Sequence, residues 1–110
     1  MKEIKMIKID MIKEFFLGFI KIHILYHADR EPVYGAELSR ELMSHGYQIS
    51  FGTLYPTLHS LERNGLLKSK EEIVEGKKRK YYKITDKGKK ALAQAREKIK
   101  ELVMEVIYEK

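Results

Sequence analysis

The segment from Ser50 to Gly65, SFGTLYPTLHSLERNG, restricts the possible folds of this chain more than any other segment. Its apolar residues lie three or four positions apart, which predicts a helix with one buried face. Ser50 is a favourable residue at the start of a helix, and Asn64-Gly65 suits the left-handed turn that ends many helices. The residues predicted to form the buried face are Phe51, Leu54, Leu58 and Leu61.

The opposite face of this predicted helix has short side chains and no charge. Its residues are Thr53, Pro56, Thr57 and Ser60. A solvent-exposed helix usually has lysine and glutamate on this face, whereas short hydroxyl side chains allow close approach to another surface. Threonine and serine hydroxyls can hydrogen-bond bases or phosphates, and a threonine methyl can pack on a thymine methyl. We therefore interpret this face as one that enters the major groove of DNA.

Length and composition indicate one globular domain, residues 1–110. The chain has 35% charged residues and no cysteine, so we expect neither disulfides nor thiolate metal sites, which fits a cytoplasmic protein. The longest apolar run, from Phe15 to Ile20, is far shorter than the roughly 20 residues that a membrane span requires.

Positive charge is concentrated in residues 77–90. Eight lysine and arginine residues stand there against one aspartate, a net charge of +7, whereas the chain as a whole has a net charge of +6. Such a local patch predicts a polyanionic partner, either nucleic acid or an anionic membrane. The alternative is a lysine-rich hairpin that is merely solvated.

The order of predicted elements indicates a winged helix. Residues 1–28 are predicted as a helix, and residues 35–44 as a second, short helix that ends before His45-Gly46 and buries Leu38, Leu42 and Met43. Residues 66–73 and 79–84 are predicted as two strands of a hairpin that follows the Ser50–Gly65 helix. We predict an α+β, mostly helical fold: a winged helix-turn-helix in residues 33–84, with a two-stranded wing.

A long C-terminal helix is predicted for residues 85–110, with Thr85 as its cap. Its apolar residues recur in steps of three and four, the spacing of a heptad seam. We predict that this helix and the N-terminal helix form a homodimer, although the C-terminal helix could instead fold back on the N-terminal helix of its own chain. The predicted interface residues are Leu92, Ala95, Ile99, Leu102, Val103 and Val106.

These elements define a candidate site for double-stranded DNA. Lysine and arginine in the wing would bind phosphates, and the Ser50–Gly65 helix would discriminate between sequences. Pro56 interrupts helical hydrogen bonding about six residues into that helix and marks a functional position. Tyr55 could either reach a phosphate or pack on the core. The candidate residues are Gln48, Ser50, Thr53, Tyr55, Pro56, Thr57, Ser60, Lys77, Lys78, Arg79 and Lys80.

Three motifs in residues 33–92 resemble those of the PadR-type transcriptional regulators, a winged-helix family. The motifs are VYGAELSREL, GTLYPTLHSLERNGLL and GKKRKYYKITDKGKKAL. The single C-terminal helix is similar to that of the smaller subfamily. The resemblance implies a dimeric repressor on a roughly palindromic operator, with Ser50, Thr53, Tyr55 and Thr57 near DNA and Lys77 to Lys80 at the phosphates.

The resemblance also implies a possible small-molecule effector. Some small family members bind aromatic ligands between subunits, against a tryptophan whose matching position here is near Ile99. This chain has no tryptophan, which argues against aromatic stacking but leaves room for an apolar pocket of Phe15, Phe19 and Ile99.

Catalysis and metal binding are not predicted. No nucleophile–base pattern, phosphate-binding glycine loop or paired catalytic carboxylates occur, so we expect no enzyme and no cofactor. His23 and His27 lie four residues apart on one helix face, but the sequence offers no clear third ligand, so we predict no metal site. His59 could contact a phosphate when protonated.

The leading hypothesis is a sequence-specific, homodimeric DNA-binding transcriptional regulator, a repressor that a small apolar effector releases. Two alternatives remain open at this stage: a winged-helix adaptor that binds another protein, and a non-specific, chromatin-like DNA binder.

Overall fold

The computed structural model describes residues 11–110, which form a mostly helical fold with one three-stranded antiparallel sheet. The part of the predicted N-terminal helix in residues 1–10 lies outside the described residues. The elements in chain order are α1 (Lys13–Arg30), β1 (Val33–Tyr34), α2 (Gly35–Ser44), α3 (Phe51–Arg63), β2 (Leu67–Val74), β3 (Lys77–Ile84), α4 (Asp86–Leu102) and a π-helical turn (Val103–Ile107). Within the described part of the chain, no helix is both long and apolar enough to cross a membrane.

The sheet confirms the predicted wing and adds a strand. β2 and β3 form a hairpin in which Leu67 lies opposite Ile84 and Val74 opposite Lys77. The two turn residues, Glu75 and Gly76, have φ angles of 53° and 78°, as a tight hairpin turn that follows the twist of the strands requires. β1 has only two residues and pairs with β3, giving the order β1-β3-β2. Two residues are too few for a periodic signal, so the sequence did not predict β1.

The core lies where α1, α2, α3 and the sheet meet. Tyr82 and Ile84 point from the inner face of β3 into this core, and the predicted Leu38 and Leu42 of α2 are fully buried. Met43, predicted to be buried, is exposed instead. The other buried apolar residues are Ile20, Ile24, Leu25, Ala28, Val33, Leu54, Leu58, Leu61, Leu67 and Leu92.

The buried face of α3 differs from the predicted one at two positions. Leu54, Leu58 and Leu61 are buried as predicted, but Phe51 is 50% exposed and Thr57 only 8% exposed. Residues 54, 57, 58 and 61 follow the i, i+3, i+4, i+7 pattern, so Thr57 falls inside the buried stripe and Phe51 at its margin. Burial of Thr57 is tolerated because its hydroxyl donates a hydrogen bond to the Thr53 carbonyl, 2.7 Å away.

Helices α2 and α3 make close contact through Tyr55 and Gly35. A Cβ atom on Gly35 would lie 2.7 Å from the Cε1 and hydroxyl oxygen atoms of Tyr55, so only glycine allows the ring to sit there. Gly35 is the first residue of α2 and is buried. A larger residue at position 35 would therefore displace the Tyr55 ring from this contact.

Helix α4 begins at a capped and crowded junction. The Thr85 hydroxyl accepts a hydrogen bond from the Gly88 amide at 3.0 Å, which confirms the predicted cap. By contrast, the Ser50 hydroxyl makes no capping bond to the backbone at the start of α3. A Cβ on Gly88 would lie 2.2 Å from the Leu66 carbonyl oxygen, so α4 contacts the hairpin base through bare backbone.

We predict that Gly88→Ala lowers the free energy of unfolding by roughly 1–3 kcal/mol, the usual cost of overpacking. The added methyl group would meet the backbone carbonyl of Leu66, which cannot rotate away as a side chain could. Urea denaturation followed by circular dichroism measures the change.

The matched control is Gly52→Ala in α3, where the nearest side-chain atom would be 3.6 Å from the new Cβ. This variant should be as stable as the wild type, or more stable by up to about 1 kcal/mol, because alanine favours a helix over glycine. Equal stability of Gly88→Ala and wild type would show that the junction is not tightly packed.

Candidate nucleic-acid interface

The outward side of α3 is uncharged over its first ten residues. Thr53, Pro56 and His59 are exposed, and Ser60 is partly exposed. Gln48 and Ser50 are exposed on the segment that leads into the helix, and the Ser50 hydroxyl donates to the Thr53 hydroxyl at 3.3 Å. These small polar groups form a surface that can approach another molecule closely.

Two of the candidate DNA-contacting residues on α3, Thr57 and Tyr55, contact other parts of this chain. Thr57 is buried, and its hydroxyl is already bonded to the Thr53 carbonyl, so the structure contradicts its placement on the outer face. The hydroxyl end of Tyr55 lies against Gly35, which favours the packing role for this residue. The Tyr55 ring remains partly accessible to solvent. It also stacks on the Phe51 ring, with the two ring centroids 5.6 Å apart.

Pro56 lies on the open side of α3 without ending the helix, which is continuous from Phe51 to Arg63. Because proline has no amide hydrogen, the carbonyl of Gly52, four residues earlier, has no helical donor at this position. Pro56 thus adds an apolar, rigid patch between Thr53 and Ser60.

The four basic residues predicted for the wing fall into two pairs. Lys77 and Lys78 adjoin the tip of the hairpin and are exposed, and neither forms an ion pair within residues 11–110. Arg79 instead lies over the Tyr34 ring, with its guanidinium carbon 4.2 Å from the centroid, and donates to the Tyr81 hydroxyl at 3.3 Å. The hydrogen bond to Tyr81 is the main reason that the pKa of Arg79 is raised.

Lys80 connects the wing to α3. Its ammonium group is 3.6 Å from the Glu62 carboxylate, and the Ser69 hydroxyl of β2 donates to the same carboxylate. Lys80 therefore offsets the negative charge of Glu62 near the end of α3. The ion pair and the hydrogen bond from Ser69 hold the hairpin beside that helix. Lys80 and Arg79 have structural partners, whereas Lys77 and Lys78 do not.

The net positive charge of the wing is smaller than the +7 counted for residues 77–90. β3 pairs with β2, which places Glu71 opposite Lys80 and Glu72 opposite Arg79. Residues 67–84 contain seven lysine and arginine residues against three glutamates, a net charge of +4. The remaining basic residues of the window belong to α4, where Lys87 donates to the Asn64 carbonyl at 2.9 Å. The charge count for residues 77–90 missed this compensation because it included β3 without the strand that pairs with it.

A second surface is an apolar groove between α1 and α4. The groove has a volume of about 540 Å³ and brings together Phe15, Phe19 and Ile99, the three residues predicted for an effector pocket. It is lined by Glu14, Phe15, Gly18, Phe19, Ile22, Ala95, Lys98, Ile99, Leu102 and Val103. The α4 helix thus packs partly against α1 of its own chain, which was the alternative arrangement for this helix.

The apolar residues of α4 beyond this contact stay open. Ile99 is 42% exposed, Leu102 53% and Val106 65%. Leu92 is different, since it is buried in the core of its own chain and has no surface left for a partner. The structure therefore removes Leu92 from the predicted interface and leaves Ala95, Ile99, Leu102, Val103 and Val106.

Three histidines come together beside the helix-turn-helix. His45, at the end of α2, lies next to His23 and His27 of α1. Burial, followed by the charges of His45 and His27, lowers the pKa of His23. The sequence did not indicate His45 as a member of the group because helical spacing cannot relate residues on two different helices.

Comparison with known proteins agrees with this architecture. Residues 24–94 match the model of the transcriptional regulator PadR-like family. The chain is 46% identical over 96 residues to the transcriptional regulator Rv3488 of Mycobacterium tuberculosis, a match that covers 87% of this chain and 90% of that protein.

Solved structures give the same result. A PadR family transcriptional regulator from Eggerthella lenta is similar with a TM-score of 0.80 and 34% identity, over 96% of this chain and 94% of that one. A PadR-like transcriptional regulator from Bacillus cereus has a TM-score of 0.75 and 35% identity, over 83% and 90% of the two chains. With its sequence motifs, winged-helix fold and matched length in agreement, this chain belongs to the PadR-like family of transcriptional regulators.

Proposed function

We propose that this protein is a homodimeric, sequence-specific DNA-binding repressor. The observation that supports this most is the pairing of an uncharged, open face on α3 with two exposed lysines, Lys77 and Lys78, at the wing tip. Family members bind DNA as a rule, and the winged-helix fold is the one that the family shares.

Attraction and discrimination are divided between the wing and α3 in this proposal. Lys77 and Lys78 bind phosphates, a contact that is the same for every sequence and that releases counterions. Thr53, Pro56 and Ser60 then approach the base edges from α3, where threonine and serine accept several base partners. Neither a bidentate arginine nor an outward-pointing asparagine lies on the first two turns of α3, so sequence-dependent DNA shape contributes to specificity.

We predict that the double variant Lys77→Ala/Lys78→Ala binds promoter and scrambled duplexes more weakly by the same factor. Each lost phosphate contact should reduce the slope of log affinity against log salt by about 0.9, so the slope should fall by about 1.8. Fluorescence anisotropy with the protein's own promoter DNA, across a series of salt concentrations, measures both quantities.

The matched control is Lys68→Ala/Lys70→Ala, which removes the same charge from the hairpin face that points away from Glu62 and α3. It should leave the slope nearly unchanged. Equal slopes for the tip variant and wild type would remove the wing tip from the mechanism. Equal wild-type affinity for promoter and scrambled duplex would favour the non-specific binder instead.

The dimer in this proposal uses the open apolar stripe of α4 together with α1. Ile99, Leu102 and Val106 share one face of α4, and Phe15 and Phe19 are exposed on α1 nearby. Contiguous exposed apolar residues of this kind mark an interaction surface. Two copies of one chain would bury the stripe of each and place two α3 helices on the two halves of a palindromic operator.

We predict that Leu102→Lys shifts the protein from dimer to monomer, because it places a charge within the apolar stripe. Ala93→Lys is the control, since residue 93 is exposed and lies off the stripe on the same helix. Sedimentation equilibrium distinguishes the two masses. A monomeric or aggregating wild-type protein would favour the adaptor hypothesis, in which a different chain covers the stripe.

The groove between α1 and α4 is the place for a small apolar effector in this proposal. It shares Ile99 and Leu102 with the dimer stripe, so a bound ligand would alter the spacing of the two α3 helices and release the operator. An apolar fluorescent probe should bind the groove and lower promoter affinity. Probe binding that leaves the affinity unchanged would contradict the effector role.

A further inference from the structure

A cluster of three imidazoles joins α1 to the turn that precedes α3. His23 and His27 lie one helical turn apart on α1, and His45 follows the last residue of α2. One ring nitrogen of each histidine lies within 4.8 Å of one nitrogen of each of the other two. The chain has four histidines, so three of them meet at this one point.

The geometry of the cluster is close to that of a metal site. Tetrahedral zinc with bonds of about 2.0–2.1 Å to imidazole nitrogen implies nitrogen–nitrogen separations of about 3.3 Å. Side-chain rotation can supply the remaining convergence, since His45 is exposed and follows the end of a helix. The ring centroids of His23 and His45 are already only 5.1 Å apart.

One nitrogen of the cluster lacks a partner. The Nε2 atom of His27 is buried and makes no hydrogen bond to any of residues 11–110. Buried polar atoms nearly always have a hydrogen-bond or metal partner, so this nitrogen is free to bind a group that enters beside the two other imidazoles.

Aromatic packing explains only part of the arrangement. His23 stacks on the Phe19 ring at 5.1 Å and lies 5.6 Å from the Tyr47 ring, contacts that any flat side chain could make. They do not explain why His45, which is exposed, also lies beside His27, or why His27 Nε2 is unsatisfied.

We propose that His23, His27 and His45 bind one divalent transition-metal ion per chain, with the fourth position open to water. Three neutral imidazoles without a thiolate favour ions of the zinc, nickel and copper group over magnesium or calcium, which prefer oxygen ligands. The ion would tie α1 to the segment that leads into α3. Metal binding would therefore stabilise the packing of the helix-turn-helix on α1, the helix that also lines the apolar groove.

Zinc binding by the full-length protein without a polyhistidine tag tests this proposal. Competition with a chromophoric chelator should give one zinc ion per chain. His45→Asn should weaken zinc binding by more than about 100-fold, because loss of a supporting residue around a metal ligand already costs 10–100-fold. His59→Asn is the matched control, since His59 lies on α3 outside the cluster, and it should bind zinc like the wild type.

A thermal melt gives a second readout that does not depend on DNA binding or dimer formation. Zinc should raise the melting temperature of the wild type and of His59→Asn, but not of His45→Asn. Because His45 is exposed, its replacement should leave the fold intact, and circular dichroism checks this. Equal zinc affinity of His45→Asn and wild type, or equal loss in His59→Asn, would overturn the site.

Discussion

The packing of α3 against α2 decides which side of α3 faces outward, and at this contact the Tyr55 ring lies against the bare backbone of Gly35. A Cβ on Gly35 would lie 2.7 Å from the ring, so any other residue at this position would require the ring to move. In this packing Leu54, Leu58 and Leu61 are buried, and Thr53 and Pro56 are left exposed. The outward face of α3 is thus a consequence of how its inner side is packed.

The electrostatic design follows from strand pairing. Glu62, Glu71 and Glu72 offset much of the basic strand β3, and Arg79 is held over Tyr34. Lys77 and Lys78 at the hairpin tip lie opposite Val74 and Ile73, so no acidic side chain faces them across the hairpin. Charge at a tip can reach phosphates beyond the body of the fold, while the uncharged face of α3 avoids the desolvation cost of burying lysine against bases. In the proposed function, attraction to phosphates and discrimination between sequences therefore belong to different elements.

Local patterns predicted the elements well, and tertiary contacts decided the rest. Pro32 before Gly35 and Gly46 after Ser44 allowed the bounds of α2 to be predicted as observed, and the hairpin was confirmed. The predicted burial was wrong at the edges of the buried face of α3, where Phe51 is exposed and Thr57 is buried. Spacing of three and four residues alone does not determine which direction is the centre of that face. β1, His45 and the pairing of Lys80 with Glu62 depend on residues distant in sequence, which periodicity cannot relate. The outer residues of α3 and the groove residues stay predictions for DNA and effector.

The most direct test of the account is a chemical interference footprint on the promoter DNA. Methylation of guanine N7 blocks the major groove, whereas ethylation blocks phosphates. If α3 of each subunit enters the major groove, methylation should interfere in two patches about 10 base pairs apart, with ethylation interference at flanking phosphates. Ethylation interference without any effect of major-groove methylation would contradict the account, because it would leave the wing as the only contact and α3 with no role in recognition.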